Sequence, residues 1–81
     1  MYFVYILYSQ QFEKYYIGQT ENVEARIERH NQGLVLSTRP YIPWTLSWYG
    51  SKDSRSEAVH LEKKLKNLSK DRIKEFIRKY S

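Results

Sequence analysis

The sequence predicts an α+β fold: a small three-stranded antiparallel sheet flanked by helices, in the order β-β-α-β-α-α. Three observations predict it. Apolar, aromatic and β-branched residues gather in short runs at 2–9, 15–18 and 44–51, the composition of strands. The first two runs are separated only by the polar "QQFEK" (10–14), close enough to pair as a hairpin. Apolar residues spaced by three and four then recur in 20–33, 54–69 and 70–80, the period of helices with one buried face.

The first run, "YFVYILYS", is apolar on both sides of the pleat, which suits a strand covered on both faces. "YYIG" is a short second strand ended by Gly18, where glycine permits positive φ or a close backbone approach. In 20–33, Thr20 or Asn22 can cap the first turn, and Glu21 and Glu24 suit its positive end. Val23, Ile27 and His30 form its inward stripe, and Gly33 stops it. "LVLSTRPYIP" (34–43) reads as a linker broken by Pro40 and Pro43, and "WTLSWYGS" as the third strand. The helix at 54–69 turns Ala58, Leu61, Leu65 and Leu68 inward, with Ser54 or Ser56 as cap. The last helix does the same with Ile73, Phe76, Ile77 and Tyr80.

Eighty-one residues suit one domain, 1–81. Without cysteine there is neither a disulfide nor a reactive thiol, and with only two histidines a zinc centre is not expected. No apolar run approaches the ~20 residues that cross a bilayer, so no membrane association is expected. The opening "MYFVYILYS" lacks the basic lead of a signal peptide, so a cytoplasmic address is expected. Lys plus Arg number 14 against 9 acidic residues, a net charge of +5, which favours a polyanionic partner, nucleic acid first. Eight of the thirteen aromatics are tyrosine, so most tyrosines must serve packing or the surface.

Four elements in order carry something more specific. "FVY" (3–5) is followed across the hairpin by "YIG" (16–18). Arg26 lies eight residues beyond Gly18 on the first helix, and Glu62 lies in "SEAVHLEKKLK" on the second. Together they resemble the GIY-YIG nuclease family, in particular the small stand-alone members related to the excision-repair nuclease domain. The resemblance spans nearly the whole chain. It departs in having Phe3 where the first motif has glycine, and in lacking the separate DNA-binding domain of larger members. It implies a metal-dependent endonuclease that hydrolyses DNA phosphodiester bonds, in a DNA-repair-like setting. Tyr5, Tyr16, Arg26 and His30 would be the catalytic residues. Glu62 would bind one Mg²⁺ or Mn²⁺, an ion held loosely without DNA. The protein is expected to be a monomer, with room for a protein partner that supplies substrate binding.

The residue types suit that chemistry. Two phenols share a face if their strands pair directly or two places along, and each can orient or deprotonate water. An arginine fork grips two phosphate oxygens and offsets growing charge; its bland alternative is a pair with Glu21 or Glu24. His30, one turn on, titrates near ~6.5 and can take a proton; its alternative is a partly buried helix-end residue. Glu62, beside the inward Leu61, offers a hard cation one carboxylate; its alternative is an ion pair with Lys66. Glu57 is the competing carboxylate, about 140° away around the helix and unable to share a site. His60 reads as a surface residue. The lysines flanking Glu62 can follow a phosphate backbone, and Asn31, Gln32, Ser37, Thr38 and Arg39 are placed at the groove's border. Two other classes remain open: a nucleic-acid-binding module with weak or no turnover, and a protein-interaction domain docking through its aromatic sheet.

Overall fold

The computed structural model describes all 81 residues. The sheet is antiparallel in the order β2-β1-β3, formed by β1 (Tyr2–Ser9), β2 (Lys14–Thr20) and β3 (Thr45–Lys52). Helix α1 (Val23–Asn31) lies between β2 and β3, and α2 (Arg55–Lys66) and α3 (Lys70–Tyr80) follow β3. The predicted class and element order are therefore those observed. No helix is long and apolar enough to cross a membrane.

As the central strand, β1 is covered on both sides, and Val4, Tyr5, Ile6 and Leu7 are all fully buried. Its alternate side chains build two separate cores. Val4 and Ile6 join Ile17, Ala58, Leu65 and Ile73 beneath α2 and α3. Tyr5 and Leu7 join Trp44, with Tyr16, Ile27, Tyr41 and Ile42 around them, beneath α1. Burying a side chain the size of Leu65 stabilises by about 1.5–3 kcal/mol.

Helices α1 and α2 are shorter than the periodic stretches that announce them, whereas α3 fills its own, and capping side chains set where each begins. Asn22 Oδ1 accepts from the Ala25 amide at 3.1 Å and starts α1 at Val23. Thr20 instead holds the preceding turn, its hydroxyl accepting from the Asn22 amide at 3.1 Å. Ser54 caps α2 by accepting from the Glu57 amide, and Ser69 caps α3 by accepting from the Arg72 amide. Gly33, at φ 77°, takes the left-handed conformation that ends the run after α1. The 34–43 linker contains a 3-10 turn at Arg39–Tyr41.

One expectation is corrected. Gly18 does not end β2, which continues to Thr20. It sits opposite Tyr5, and a Cβ there would lie 2.5 Å from the Tyr5 hydroxyl. Of the two uses open to this glycine, the close approach is the one realised: the phenol of Tyr5 lies across its bare backbone.

Candidate active site

Register decides what the hairpin presents. Tyr5 pairs with Gly18 and Leu7 with Tyr16, so Tyr5 and Tyr16 are diagonal neighbours on one face. Their ring centroids are 6.3 Å apart. Helix α1 brings His30 against both, at 5.9 Å from the Tyr5 ring and 4.8 Å from the Tyr16 ring.

His30 is fully buried, and both ring nitrogens are engaged. Nε2 lies 3.0 Å from the Tyr5 hydroxyl and Nδ1 lies 2.8 Å from Thr38 Oγ1. The directions follow from the far end of the chain. The Thr38 hydroxyl donates to the Val35 carbonyl at 3.3 Å. Its oxygen then accepts from His30 Nδ1–H, which leaves Nε2 bare to accept from Tyr5. Thr38 is itself 2% exposed, and its carbonyl accepts from the Trp44 indole at 3.0 Å. Asn31 clamps the backbone of Trp44 from α1, accepting from its amide at 2.7 Å and donating to its carbonyl at 3.0 Å.

Burial pushes the Tyr5 hydroxyl up to about 12, Arg26 pulls against it, and the charges of Tyr16 and Glu62 add to the rise. Tyr5 is thus a protonated phenol that feels Arg26 and Glu62 together. His30 is shifted down, first by burial and then by the charges of Arg26 and Arg29, so its imidazole stays neutral.

Arg26 is half-buried beside this chain and forms no ion pair with Glu21 or Glu24. Its Nε is buried and has no hydrogen-bond partner. A buried, unpaired guanidinium N–H costs free energy unless a ligand oxygen meets it. The side chain lines an open cleft of about 310 Å³ with Tyr2, Gln19, Thr20, Glu21 and Arg55.

Glu62, only 17% exposed, pairs through Oε2 with Lys66 Nζ at 2.9 Å. The anticipated i,i+4 ion pair is therefore formed, and its second oxygen lies outside that pair. No three His, Cys, Asp or Glu side chains converge anywhere, so there is no closed metal centre. A single carboxylate fits a hard cation that keeps several of its own waters, and does not fit zinc. Glu57 is exposed and lines a different cleft, with Lys52, Ser56, His60 and Lys64.

Tyr5, Tyr16 and His30 are thus in contact on the α1 side of the hairpin with Arg26 beside them, while Glu62 lies on α2 with Lys66 as its partner. Thr38 does not border a groove but lies buried as the partner of His30. Neither that role nor the Asn31 clamp had a signal in the sequence, since both depend on how the 34–43 loop folds back.

The three-stranded antiparallel sheet with helices in the order β-β-α-β-α-α is a nuclease-like fold of the kind the GIY-YIG catalytic domain implies. The sequence model of the GIY-YIG catalytic domain matches residues 1–77, and the chain belongs to that family. A UPF0213 protein of Halobacterium salinarum is 42% identical over 57 residues, covering 69% of this chain and 74% of its own. The solution NMR structure of a UPF0213 protein from Bacillus halodurans superposes with a TM-score of 0.64 at 29% identity, covering 99% of this chain and 86% of that one.

Proposed function

We propose that this protein is an endonuclease-like hydrolase of DNA phosphodiester bonds that works with one Mg²⁺ or Mn²⁺ bound at Glu62. One observation carries the reading: the buried Arg26 Nε has no partner, yet it stands beside a phenol held in a complete hydrogen-bond chain. A phosphate oxygen supplies the missing acceptor. The ion would supply Lewis-acid neutralisation of phosphate charge.

The chain's own residues do the rest. Arg26 grips the phosphate and offsets the charge that grows as the water oxygen bonds to phosphorus and the bridging oxygen leaves. Tyr16, half-buried above Tyr5 and His30, orients the water. Tyr16, the half-exposed phenol, accepts the water's proton as it passes its own to solvent, while the fully buried Tyr5 donates to His30 and holds that face fixed. Thr38 keeps Nε2 bare for the Tyr5 hydroxyl by holding the other ring proton on Nδ1.

A binding module without turnover is the second reading, favoured by the complete burial of Tyr5 and by the Lys66 partner of Glu62. Supercoiled plasmid and branched DNA, incubated with Mg²⁺ or Mn²⁺, separate the two. The wild type should nick, while Arg26→Ala and Glu62→Gln should not. Glu62→Gln gives up one i,i+4 helix pair, whose lysine is exposed, worth about 0.3–0.5 kcal/mol, so its melting curve should barely move. Equal nicking by wild type and Glu62→Gln would remove this carboxylate from the site. Undetectable nicking by every protein on every DNA form favours the module.

A further inference from the structure

The sheet has two open edges, and they differ in charge. Along most of β3 the surface clefts are lined by Phe3, Leu46 and Tyr49 with Glu21 and Glu24 and hold no cation, and Lys52 and Lys64 line only the cleft at its far end. Along β2 the reverse holds. At its Lys14 end an open cleft of about 520 Å³ is lined by Lys14 and Lys70, with Lys66 whose charge Glu62 offsets, against the single acid Glu13. At its Thr20 end lies the Arg26 cleft, with Arg55 as second cation against the single acid Glu21. Tyr16 lines the first cleft and Arg26 the second, so the two flank the candidate active site from opposite sides.

Lys70 and Arg55 are placed at some cost. The Lys66–Glu62 pair is the molecule's one salt bridge, so both charges are uncompensated. Each is also the first residue of its helix, α3 and α2 respectively, where a cation opposes the helix dipole by about 0.3–1 kcal/mol. Helix stability does not explain them. Nor does core packing, because both side chains are exposed.

We propose that one strand of a nucleic acid runs along the open edge of β2, with Lys70 holding its backbone on one side of the phosphate at Arg26 and Arg55 holding it on the other. The seven residues of β2 extend about 20–24 Å. A base-stacked strand carries one phosphate per about 3.4 Å along its helix axis, so a stacked strand lying on this edge would advance roughly six nucleotides over it. The proposal rests on the nucleic-acid reading above but not on cleavage.

The test is fluorescence polarisation of a labelled 20-nucleotide single strand and of the matching duplex, without divalent metal, across a salt series. Lys70→Ala and Arg55→Ala lie outside the reacting groups, and Lys79→Ala, on the opposite side of α3 near its end, is the control. The wild type should bind the single strand more tightly than the duplex. Lys70→Ala and Arg55→Ala should each weaken it several-fold and each flatten the logarithmic salt slope by about 0.7, one phosphate contact. Both should melt no lower than the wild type, and Lys79→Ala should bind as the wild type does. Equal losses for all three variants overturn the path and reduce it to general surface charge. Duplex preferred over single strand overturns the single-strand assignment. A wild type that binds neither form at low salt overturns the path and the nucleic-acid reading together. Strand binding that follows the variants in a protein that never nicks upholds the path and sinks only the hydrolysis.

Discussion

The two faces of the sheet are sealed by different chemistry. Under α2 and α3, Val4, Ile6, Ile17, Ala58, Leu65 and Ile73 meet without a polar group among them. Under α1, Tyr5, Leu7 and Trp44 enclose His30 and Thr38, and hydrogen bonds link the polar members in a row. An apolar core tolerates small rearrangements, because its cohesion is non-directional. A buried polar chain does not, because each unpaired atom costs about 1–3 kcal/mol. The face under α2 and α3 thus supplies stability, whereas the one under α1 supplies orientation, fixing one phenol and one imidazole tautomer beside Arg26.

The contrast can be broken at several points. The largest effect is expected from Leu65→Ala, which opens a cavity in the apolar core and should cost about 2–5 kcal/mol in denaturant unfolding. It should leave the His30 imidazole signals unchanged, and a shifted tautomer in that variant would mean that the two faces are not independent.

Gly18→Ala comes next. At a glycine of ordinary φ this change would stabilise by about 0.4–1 kcal/mol. Here the added methyl meets the Tyr5 ring and hydroxyl, so the sign should reverse to a loss of about 1–3 kcal/mol. An increase in melting temperature would show that Tyr5 is free to move aside.

Thr38→Val keeps the shape but leaves His30 Nδ1–H unpaired, at a cost of about 1–3 kcal/mol. Nitrogen NMR of the His30 ring should pass from one tautomer to a mixture, and Thr38→Ser should restore the single form. Stability lost without a tautomer change would reduce Thr38 to a packing residue.

The smallest effect concerns pH. The folded-state pKa of His30 is depressed, so its contribution is present above the ordinary value near 6.5 and is lost as pH falls below it. Unfolding free energy should therefore decline between about pH 6.5 and 5, by at most about 1.4 kcal/mol per pH unit for one proton, before the carboxylates titrate. His30→Gln should flatten that window. An unchanged slope would place the titrating group elsewhere.

Much of this was legible in the linear chain. Strand and helix periods, and caps such as Asn22 and Ser54, depend on residues a few positions apart. The motif order alone points to Tyr5, Tyr16, Arg26, His30 and Glu62. What stayed hidden needed long-range placement. Gly18 was readable as a close-approach glycine, but which side chain approaches it depends on register. Thr38, in a loop rich in turn residues, looked like a groove border, and only the return of that loop onto α1 makes it the partner of His30. Arg55 and Lys70 were two cations among many until the sheet order left β2 open beside them.

By itself, then, the sequence determined the set of secondary elements, their amphipathic faces, the basic charge and the short list of reactive side chains, because periodicity, capping and composition are local properties. Tertiary structure alone decided that Tyr5 lies over Gly18, that His30 is sealed between a phenol and a threonine, that Arg26 is left with an unpartnered N–H, and that cations line both ends of the β2 edge. Those facts arise from strand register and loop return, which join residues far apart in the chain and leave no periodic trace along it.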